Sequence, residues 1–529
     1  METDVLIIGG GVTGTGIARD LALRGLNTIL IEKKDLNAGA SGGNHGLLHS
    51  GARYVHSDPE AARECQIEQV ILKKQAAHCI EETGGLFVAV KGDDENYIQD
   101  FPQMCEKLHI QCEKTDPKKA LEMEPALSKD LIAAYQVNDA SINPFKLSIE
   151  NMNNAVALGS SYLTHTEIES FKIENNKIIY AVVRNKTGGE TIKIRAKTYV
   201  NASGAWAKNI AAMAGINVNM VFSMGSLLVT SQRITKRVIN RLRMPTDGDI
   251  LVPGGVVSIL GTTSKRIKDP DRIYPAVDEV DHIIEQGGQM IPALKESRYI
   301  RAYAGVRPLV SMGGDNNDRE VSRGFTLLDH KKNGVDNFIT ITGGKLSTYR
   351  LMAEKTSDIV CKKHGITQPC KTITTPLPST QDGEWSEPGV FIADSIDSKT
   401  LHDAYLCECE MVPEKAIKRV IDSIKKNGGR PDLESIAMRT RVGKGTCQGT
   451  YCSVRLLSHL CDNKDYTAAN GLNDLKLFLN ERWKGEHPLL WDQTLVHSSL
   501  KEMIHCGLFC LELETREDKI ETKGRKLKY

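Results

Sequence analysis

The stretch DVLIIGGGVTGTGIARDLALRGLNTILIE, residues 4–32, decides how the chain begins to fold. Asp4 to Ile8 is a short apolar run that predicts a strand. Gly9, Gly11 and Gly14 come next in the spacing G-x-G-x-x-G. Ile17, Ala18, Leu21 and Ala22 then recur at helical spacing until Gly25. A second apolar run, Thr28 to Ile31, ends on Glu32. Strand, tight turn, helix and a second strand closed by an acid are the parts of a dinucleotide-binding βαβ unit. Gly9 permits the turn, Gly11 lets backbone approach a pyrophosphate, and Gly14 lets helix and strand pack closely. The helix N-terminus offers N–H groups to the phosphates. Glu32 stands where a carboxylate accepts hydrogen bonds from a ribose diol. A glycine-rich turn without a ligand would not need all of these parts in this order.

NAD and FAD share this fingerprint, so the choice between them rests on more distant segments. Residues 38–54, AGASGGNHGLLHSGARY, are small, polar and glycine-rich, which suits a loop wrapped along a large cofactor. Two more apolar runs end in glycine corners. One is Thr198 to Asn201, leading into Ala202, Ser203, Gly204, Ala205 and Trp206. The other is Asn337 to Thr342, leading into Gly343, Gly344 and a helix through Tyr349, Leu351 and Met352. Three strand-to-glycine corners from distant parts of one chain fit a single extended cofactor, FAD. A helix starting near Lys345 would point its positive end at a flavin and stabilise the charge that reduction places there.

The bulk properties set limits. At 529 residues the chain is too long for one core, and two or three domains are expected. A net charge of +1 gives no global field for nucleic acid, and the short basic run Lys523 to Tyr529 reads as a solvated tail. No stretch approaches the roughly 20 apolar residues of a membrane helix. The acidic first residues lack the basic start of a signal peptide, which implies a cytoplasmic chain. Thirteen cysteines in a reducing compartment are not expected to pair as disulfides. Cys65, Cys79 and Cys105 fall in helical-looking segments and read as buried free thiols. Cys407, Cys409, Cys447 and Cys452 instead form C-x-C-x37-C-x4-C, around an amphipathic helix at Pro413 to Lys426 and a shorter one at Pro431 to Met438. Four cysteines flanking two small helices fit an iron–sulfur cluster. Zinc and unliganded thiols remain alternatives, although C-x-C is atypical of a zinc knuckle.

Several stretches together resemble the FAD-dependent glycerol-3-phosphate dehydrogenases, and within them the large, catalytic A subunits of the anaerobic enzymes. They are LIIGGGVTGTGIARDLALRG (6–25), NHGLLHSGARY (44–54), VNASGAW (200–206), ILVPG (250–254), GTTS (261–264), RAYAGVRPL (301–309), VSRGFTLLDH (321–330), ITGGKLSTYRLMAE (341–354) and RVGKGTCQGTYC (441–452). The resemblance spans nearly the whole chain. It implies an α/β fold: a glutathione-reductase-type, Rossmann-like FAD domain with an antiparallel substrate sheet. A small C-terminal helical [2Fe–2S] domain, similar to that of bacterioferritin-associated ferredoxin, would come after it. The strand-rich runs at 171–200 and 221–265 agree with the first two parts. The expected boundaries are 1–370 for the oxidoreductase domain, with FAD segments near 1–75, 145–215 and 330–365. Residues 371–400 would be a linker, 401–458 the cluster domain and 459–529 a C-terminal helical segment.

The resemblance also implies site residues. Gly9, Gly11, Gly14, Glu32, Ser41, Asn44, His45, Gly46, Leu47, Ala202, Gly204, Trp206, Gly343, Gly344 and Leu346 would bind FAD. Arg53, Tyr54, Arg307, Arg323 and Lys345 would contact substrate, the guanidinium fork matching a phosphate. His49, Arg307, Arg323 and Lys345 would serve catalysis, with His49 a candidate base. Cys407, Cys409, Cys447 and Cys452 would hold [2Fe–2S]. Arg301 reads equally as structural, and His45 as a packed loop histidine. The implied reaction is oxidation of sn-glycerol 3-phosphate to dihydroxyacetone phosphate. Electrons would leave through the cluster to an iron–sulfur membrane-anchor subunit, then to quinone, with a second soluble subunit in the same assembly. That places the chain in the cytoplasm, held peripherally at the inner face of the cell membrane by its partners. Two rivals stand beside this reading. One is a flavin oxidoreductase of 2-hydroxy acids or amino acids, which would not need several phosphate-clamping arginines. The other is a flavin or iron–sulfur redox sensor without turnover, using the segment from Tyr466 to Tyr529, with LKLFLNERWKG at 475–485, as an interaction surface.

Overall fold

The computed structural model describes residues 1–186, 188–310, 324–382, 404–427, 429–463 and 466–511. Arg323, the part of the expected linker from 383 to 400, and the basic end at Lys523 to Tyr529 lie outside the described residues.

The N-terminal βαβ unit forms as its pattern requires. The strand Glu2–Ile8 leads through Gly9 to the helix Val12–Leu23 and back to the strand Thr28–Ile31. The two strands pair in parallel, and Glu2–Ile8 pairs in parallel with Thr191–Asn201 on its other side. Ser161–Leu163 extends the parallel sheet at one edge and Phe338–Gly343 at the other. The first strand is buried on both faces. Val5 and Ile7 pack with helix residues Ile17, Leu21, Met152 and Met352. Leu6 and Ile8 pack on the opposite side with Ile168, Tyr199 and Phe338. The period-two alternation of strand side chains therefore feeds two cores at once. Thr166–Glu174 and Lys177–Asn185 form an antiparallel hairpin that continues into Thr191–Asn201.

The second sheet has nine strands. Its pairings are antiparallel with one exception: Val238–Arg241 runs parallel to Gly85–Val90. The expected antiparallel substrate sheet is thus a mixed one. The parallel seam arises because two ladders from distant parts of the chain join there, and no hairpin fixes their relative direction. The longest ladder in this sheet pairs Met220–Thr230 with Tyr299–Val310, setting Ser223 opposite Arg307 and Gly225 opposite Gly305.

The C-terminal region corrects two boundaries. Residues 371–382 pack as an extension of the first domain. Leu377 is fully buried, Arg19 donates to Thr375 O at 2.6 Å, and Ser379 donates to Glu150 at 2.7 Å. Beyond them, the helices Glu414–Lys426, Leu433–Thr440, Cys452–Asp462 and Ala468–Glu486 share one core. That core joins Ile417, Val420 and Ile436 to Leu475, Phe478 and Leu479, so a boundary at 458 would cut through it. The amphipathic face expected between Pro413 and Lys426 is the one buried: Ala416, Ile417, Val420, Ile421 and Ile424. Within the segment read as a possible interaction surface, residues 475–485 contribute Leu475, Phe478 and Leu479 to this interior and leave Leu477 exposed. A buried ion pair, Arg439 to Asp35 at 2.5 Å, ties the region to the cofactor end of the first domain.

Candidate functional site

The three glycine corners come together. Gly9 and Gly11, Ala202 to Trp206, and Gly343 to Leu346 line one cavity of about 550 Å³. Glu32, Ser41, Asn44, His45, Leu47, His49, Arg53, Tyr54 and Arg307 line it too. The cavity runs from the carboxyl ends of the parallel strands to the second sheet, as expected for a ligand at a switch point of an open α/β sheet.

At the phosphate end, Gly9 has φ +116°, and a Cβ there would lie 2.6 Å from Ala202 O. Gly14 stands back from the cavity, where a Cβ would sit 2.0 Å from Gly9 O. Its absent side chain lets the first helix seat against the turn, the packing task read from the sequence. Ser41 Oγ accepts from Val12 N at 2.9 Å at the helix start. Glu32 accepts from Gly10 N at 2.7 Å and Lys34 N at 2.9 Å. Burial raises its carboxyl above the ordinary value, and the two N–H donors oppose that shift. Together these features fit a dinucleotide: a bare backbone turn, a helix N-terminus with a serine beside it, and a buried acid at the second strand's end.

The loop from Ala38 to Tyr54 crosses the second sheet backbone to backbone. A Cβ on Gly305 would lie 2.0 Å from Gly43 O. Tyr303 Oη donates to Asn44 O at 2.8 Å beside this crossing. Gly46, expected as a cofactor contact, is not among the lining residues. Its φ of +66° and close approach to Ile142 O make it a turn residue supporting the small sheet of Leu47–Leu48 and Ala140–Ile142.

The cationic end gathers three expected residues. Arg307 donates to Thr263 O at 3.1 Å and to Thr262 Oγ1 at 2.5 Å. Its guanidinium occupies the space that Gly225 leaves empty, where a Cβ would be 2.4 Å from Arg307 Nη2. Lys345 Nζ lies 4.6 Å from the centre of the Tyr54 ring. Arg53 differs from the expectation of a dedicated substrate contact. Its Nη2 is engaged by the buried Asp249 at 3.0 Å, while its buried Nη1 has no hydrogen-bond partner. His49 Nε2 lies 3.4 Å from Tyr54 Oη. Burial pushes the His49 imidazole well below its usual range, and the charges of His45, Lys345 and Arg53 push it the same way. His45 is pushed down to about 3 by burial and then by Arg307 and Arg53. Both rings are therefore neutral at pH 7. The helix expected near Lys345 begins as the 3-10 turn Leu346–Thr348 and continues as Tyr349–Lys363, with its positive end at the cavity.

Sequence reasoning gave no role to Gly43, Gly225, Gly305, Thr262 or Thr263. Thr262 and Thr263 lie in the GTTS stretch, so a signal was present without a task attached to it. The glycines act as pairs across the fold, which no local pattern displays.

The four paired cysteines form a second constellation. The Cys452 thiol is within hydrogen-bonding reach of Cys407 and of Cys447, and Cys447 is within reach of Cys409. Cys407 and Cys452 are buried, Cys447 is partly so, and Cys409 is exposed. Among the described residues no group of three or more His, Cys, Asp or Glu is arranged to hold a metal ion. The donor set nevertheless suits a thiophilic centre, because four cysteine sulfurs stand together. Cys65, Cys79 and Cys105 are buried and free. No helix among the described residues is long and apolar enough to cross a membrane.

Comparison with known proteins bears on the whole chain. Residues 4–350 match the family described as FAD dependent oxidoreductase. The A subunit of the anaerobic glycerol-3-phosphate dehydrogenase of Escherichia coli K12 is 42% identical, over 98% of this chain and 98% of that protein. The A1 subunit of the Haloferax volcanii enzyme of the same name is 38% identical, over 95% of this chain and 90% of that protein. Among solved structures, a glycerol-3-phosphate dehydrogenase from Bacillus halodurans complexed with FAD matches at a TM-score of 0.64 and 21% identity, covering 93% of this chain and 97% of that one. Glycine oxidase from Bacillus cereus matches at a TM-score of 0.55 and 22% identity, over 71% of this chain and 98% of that one. At these identities the two structures speak for the fold.

Proposed function

The chain belongs to the FAD-dependent oxidoreductases of the anaerobic glycerol-3-phosphate dehydrogenase A-subunit family, and on that footing we propose that it oxidises sn-glycerol 3-phosphate to dihydroxyacetone phosphate. One observation carries the reading: Gly9, Gly204 and Gly344 line the same cavity as Arg307, Lys345 and His49. A dinucleotide turn and a set of cations thus face each other across a space that holds a cofactor and a small anion.

FAD, when bound, supplies the hydride acceptor. The residues around it do the rest. Gly9, Gly11 and the first helix's N-terminus would hold its pyrophosphate, and Glu32 would hold its ribose. Arg307 takes the substrate phosphate, oriented by Thr262 and Thr263. Lys345 completes the anion site, and Arg53, held by Asp249, and Arg323 are assigned to it as well. This fixes the C2 hydroxyl relative to His49, converting an encounter into an oriented contact. The neutral His49 imidazole accepts the hydroxyl proton as hydride leaves C2. The Lys345 cation steadies the negative charge developing on the oxygen.

Cys407, Cys409, Cys447 and Cys452 are assigned as ligands of a [2Fe–2S] cluster, which when bound takes electrons one at a time. Support comes from their mutual thiol contacts. Transfer onward to an iron–sulfur membrane-anchor subunit, with a second soluble subunit, and then to quinone is part of the same proposal. So is peripheral attachment to the membrane through those partners.

The test is anaerobic bleaching of the purified protein's flavin. Glycerol 3-phosphate should bleach it promptly and L-2-hydroxyglutarate should not. The reverse order would sink the assignment and favour the hydroxy-acid oxidoreductase. No reduction with any phosphorylated polyol would favour the sensor.

A further inference from the structure

The flavin cavity and the cysteine centre are joined by a continuous set of contacts that the reaction above does not use. Asn44, in the cofactor loop, accepts from Tyr303 Oη at 2.8 Å. Two residues along the same strand stands Arg301. The helix Ala468–Glu486 crosses this strand at Gly485, where a Cβ would lie 2.4 Å from Ala302 O and 2.7 Å from Arg301 Cγ. One turn back on that helix, the Arg482 guanidinium lies 4.7 Å from the centre of the Phe478 ring. Phe478 in turn fills the space beside Gly443 and Gly449, the glycines flanking Cys447. Cβ atoms at those two positions would lie 2.6 and 2.7 Å from the ring.

Two cations sit inside this junction without full compensation. Arg482 is 7% exposed, and its Nε and Nη1 have no hydrogen-bond partner; nor does the buried Arg301 Nε. Lys501, whose carboxylate partner is Glu486, lies on the same side. The acids nearby are Glu434, Glu481 and Glu486. Glu481 is taken by Lys484, and burial raises the carboxyls of Glu434 and Glu486 above their usual values. A buried unpaired guanidinium costs stability, and packing alone would be served better by an apolar side chain.

We infer that Arg482, backed by Arg301, is a fixed cation between the flavin and the cysteine centre that makes the centre easier to reduce, so that electrons taken from the substrate pass toward it. The inference rests on the [2Fe–2S] reading. Each electron that arrives at the cysteine centre comes from the substrate by way of the flavin and adds one negative charge there. A neighbouring cation lowers the free energy of that charge. Arg482 is a positioning residue in this sense and touches neither substrate nor cofactor. Burial and the Arg301 charge push its guanidinium down to about 9, still cationic at neutral pH.

The experiment is a dithionite titration of the purified, cluster-loaded protein followed by the low-temperature paramagnetic signal of the reduced cluster. Wild type, Arg482→Gln, Arg482→Lys and Arg301→Gln are compared, with iron content and thermal midpoint measured for each. Arg482→Gln should shift the one-electron equilibrium about tenfold toward the oxidised cluster, ~59 mV. Arg482→Lys should stay close to wild type, and Arg301→Gln should shift the same way as Arg482→Gln by less. The thermal midpoint of Arg482→Gln should hold or rise. Should Arg482→Gln not fold, Arg301→Gln decides alone. Equal midpoint potentials in wild type and the Gln variants, at equal iron content, would overturn the inference and leave the cluster assignment standing. Wild-type protein with no iron and no signal would overturn both.

Discussion

Gly225→Ala isolates the phosphate-binding step. The new methyl carbon would stand 2.4 Å from Arg307 Nη2 and 2.8 Å from its Cζ. Contacts below 3 Å force one partner to move, and the movable one is the end of a long side chain, while both strands remain paired. The guanidinium must therefore leave Thr262 Oγ1 and Thr263 O, which hold it now. Losing one well-aimed charge-assisted hydrogen bond to the substrate phosphate costs about 1.5–3 kcal/mol. At about 1.4 kcal/mol per decade that is roughly a tenfold to hundredfold loss in kcat/KM. Steady-state dye reduction with glycerol 3-phosphate reads it directly, and flavin content per chain should match wild type. Glycerol, which lacks the phosphate, serves as the control: its slow turnover should change little. If the variant keeps its flavin and its kcat/KM for glycerol 3-phosphate stays within twofold of wild type, Arg307 is not the phosphate ligand.

Other outcomes rest on single contacts. Gly14→Ala places a methyl 2.0 Å from a backbone oxygen, so the purified variant should carry little flavin, as its absorbance at flavin wavelengths will report. Arg439→Ala strands the buried Asp35 carboxylate and should destabilise the fold by about 3–5 kcal/mol; the double variant with Asp35→Ala should recover part of that in a denaturation series. His45 and His49 have folded pKa values below the unfolded value of about 6.5. The unfolded chain binds their protons first, so flavin-free protein should lose stability as pH falls below about 6.5 toward 3, and His49→Gln should flatten part of that slope. Cys447→Ser should abolish bound iron while leaving flavin bleaching by substrate in place. An unchanged iron content would remove Cys447 from the ligand set.

The parts of the fold legible in the sequence are those in which one segment carries its own reason. Residues 4–32 state their turn, helix and acid within a single βαβ unit. The corners at Gly204 and Gly344 are visible because each ends an apolar strand. The amphipathic helix after Cys409 shows its buried face in its spacing. What stayed hidden depends on pairs. Gly43 matters because Gly305 lies against it, and Gly225 because Arg307 fills its place, and in both cases the partner is far away along the chain. The parallel seam between Val238–Arg241 and Gly85–Val90 was hidden for the same reason. Residues 371–382 read as linker because their proline, threonine and serine show no period. Their order comes from side chains such as Arg19 and Glu150, which belong to helices far earlier in the chain.

The crossing of Gly43 over Gly305 has a mechanical result. Two main chains meet there with no side chains between them, so the cofactor loop and the arginine strand have no cushion to slide on. A clamshell motion of one sheet over the other would drive carbonyl oxygen into α-carbon. Reactant entry and product exit are then expected past side chains at the mouth of the cavity rather than by a rocking of one sheet over the other.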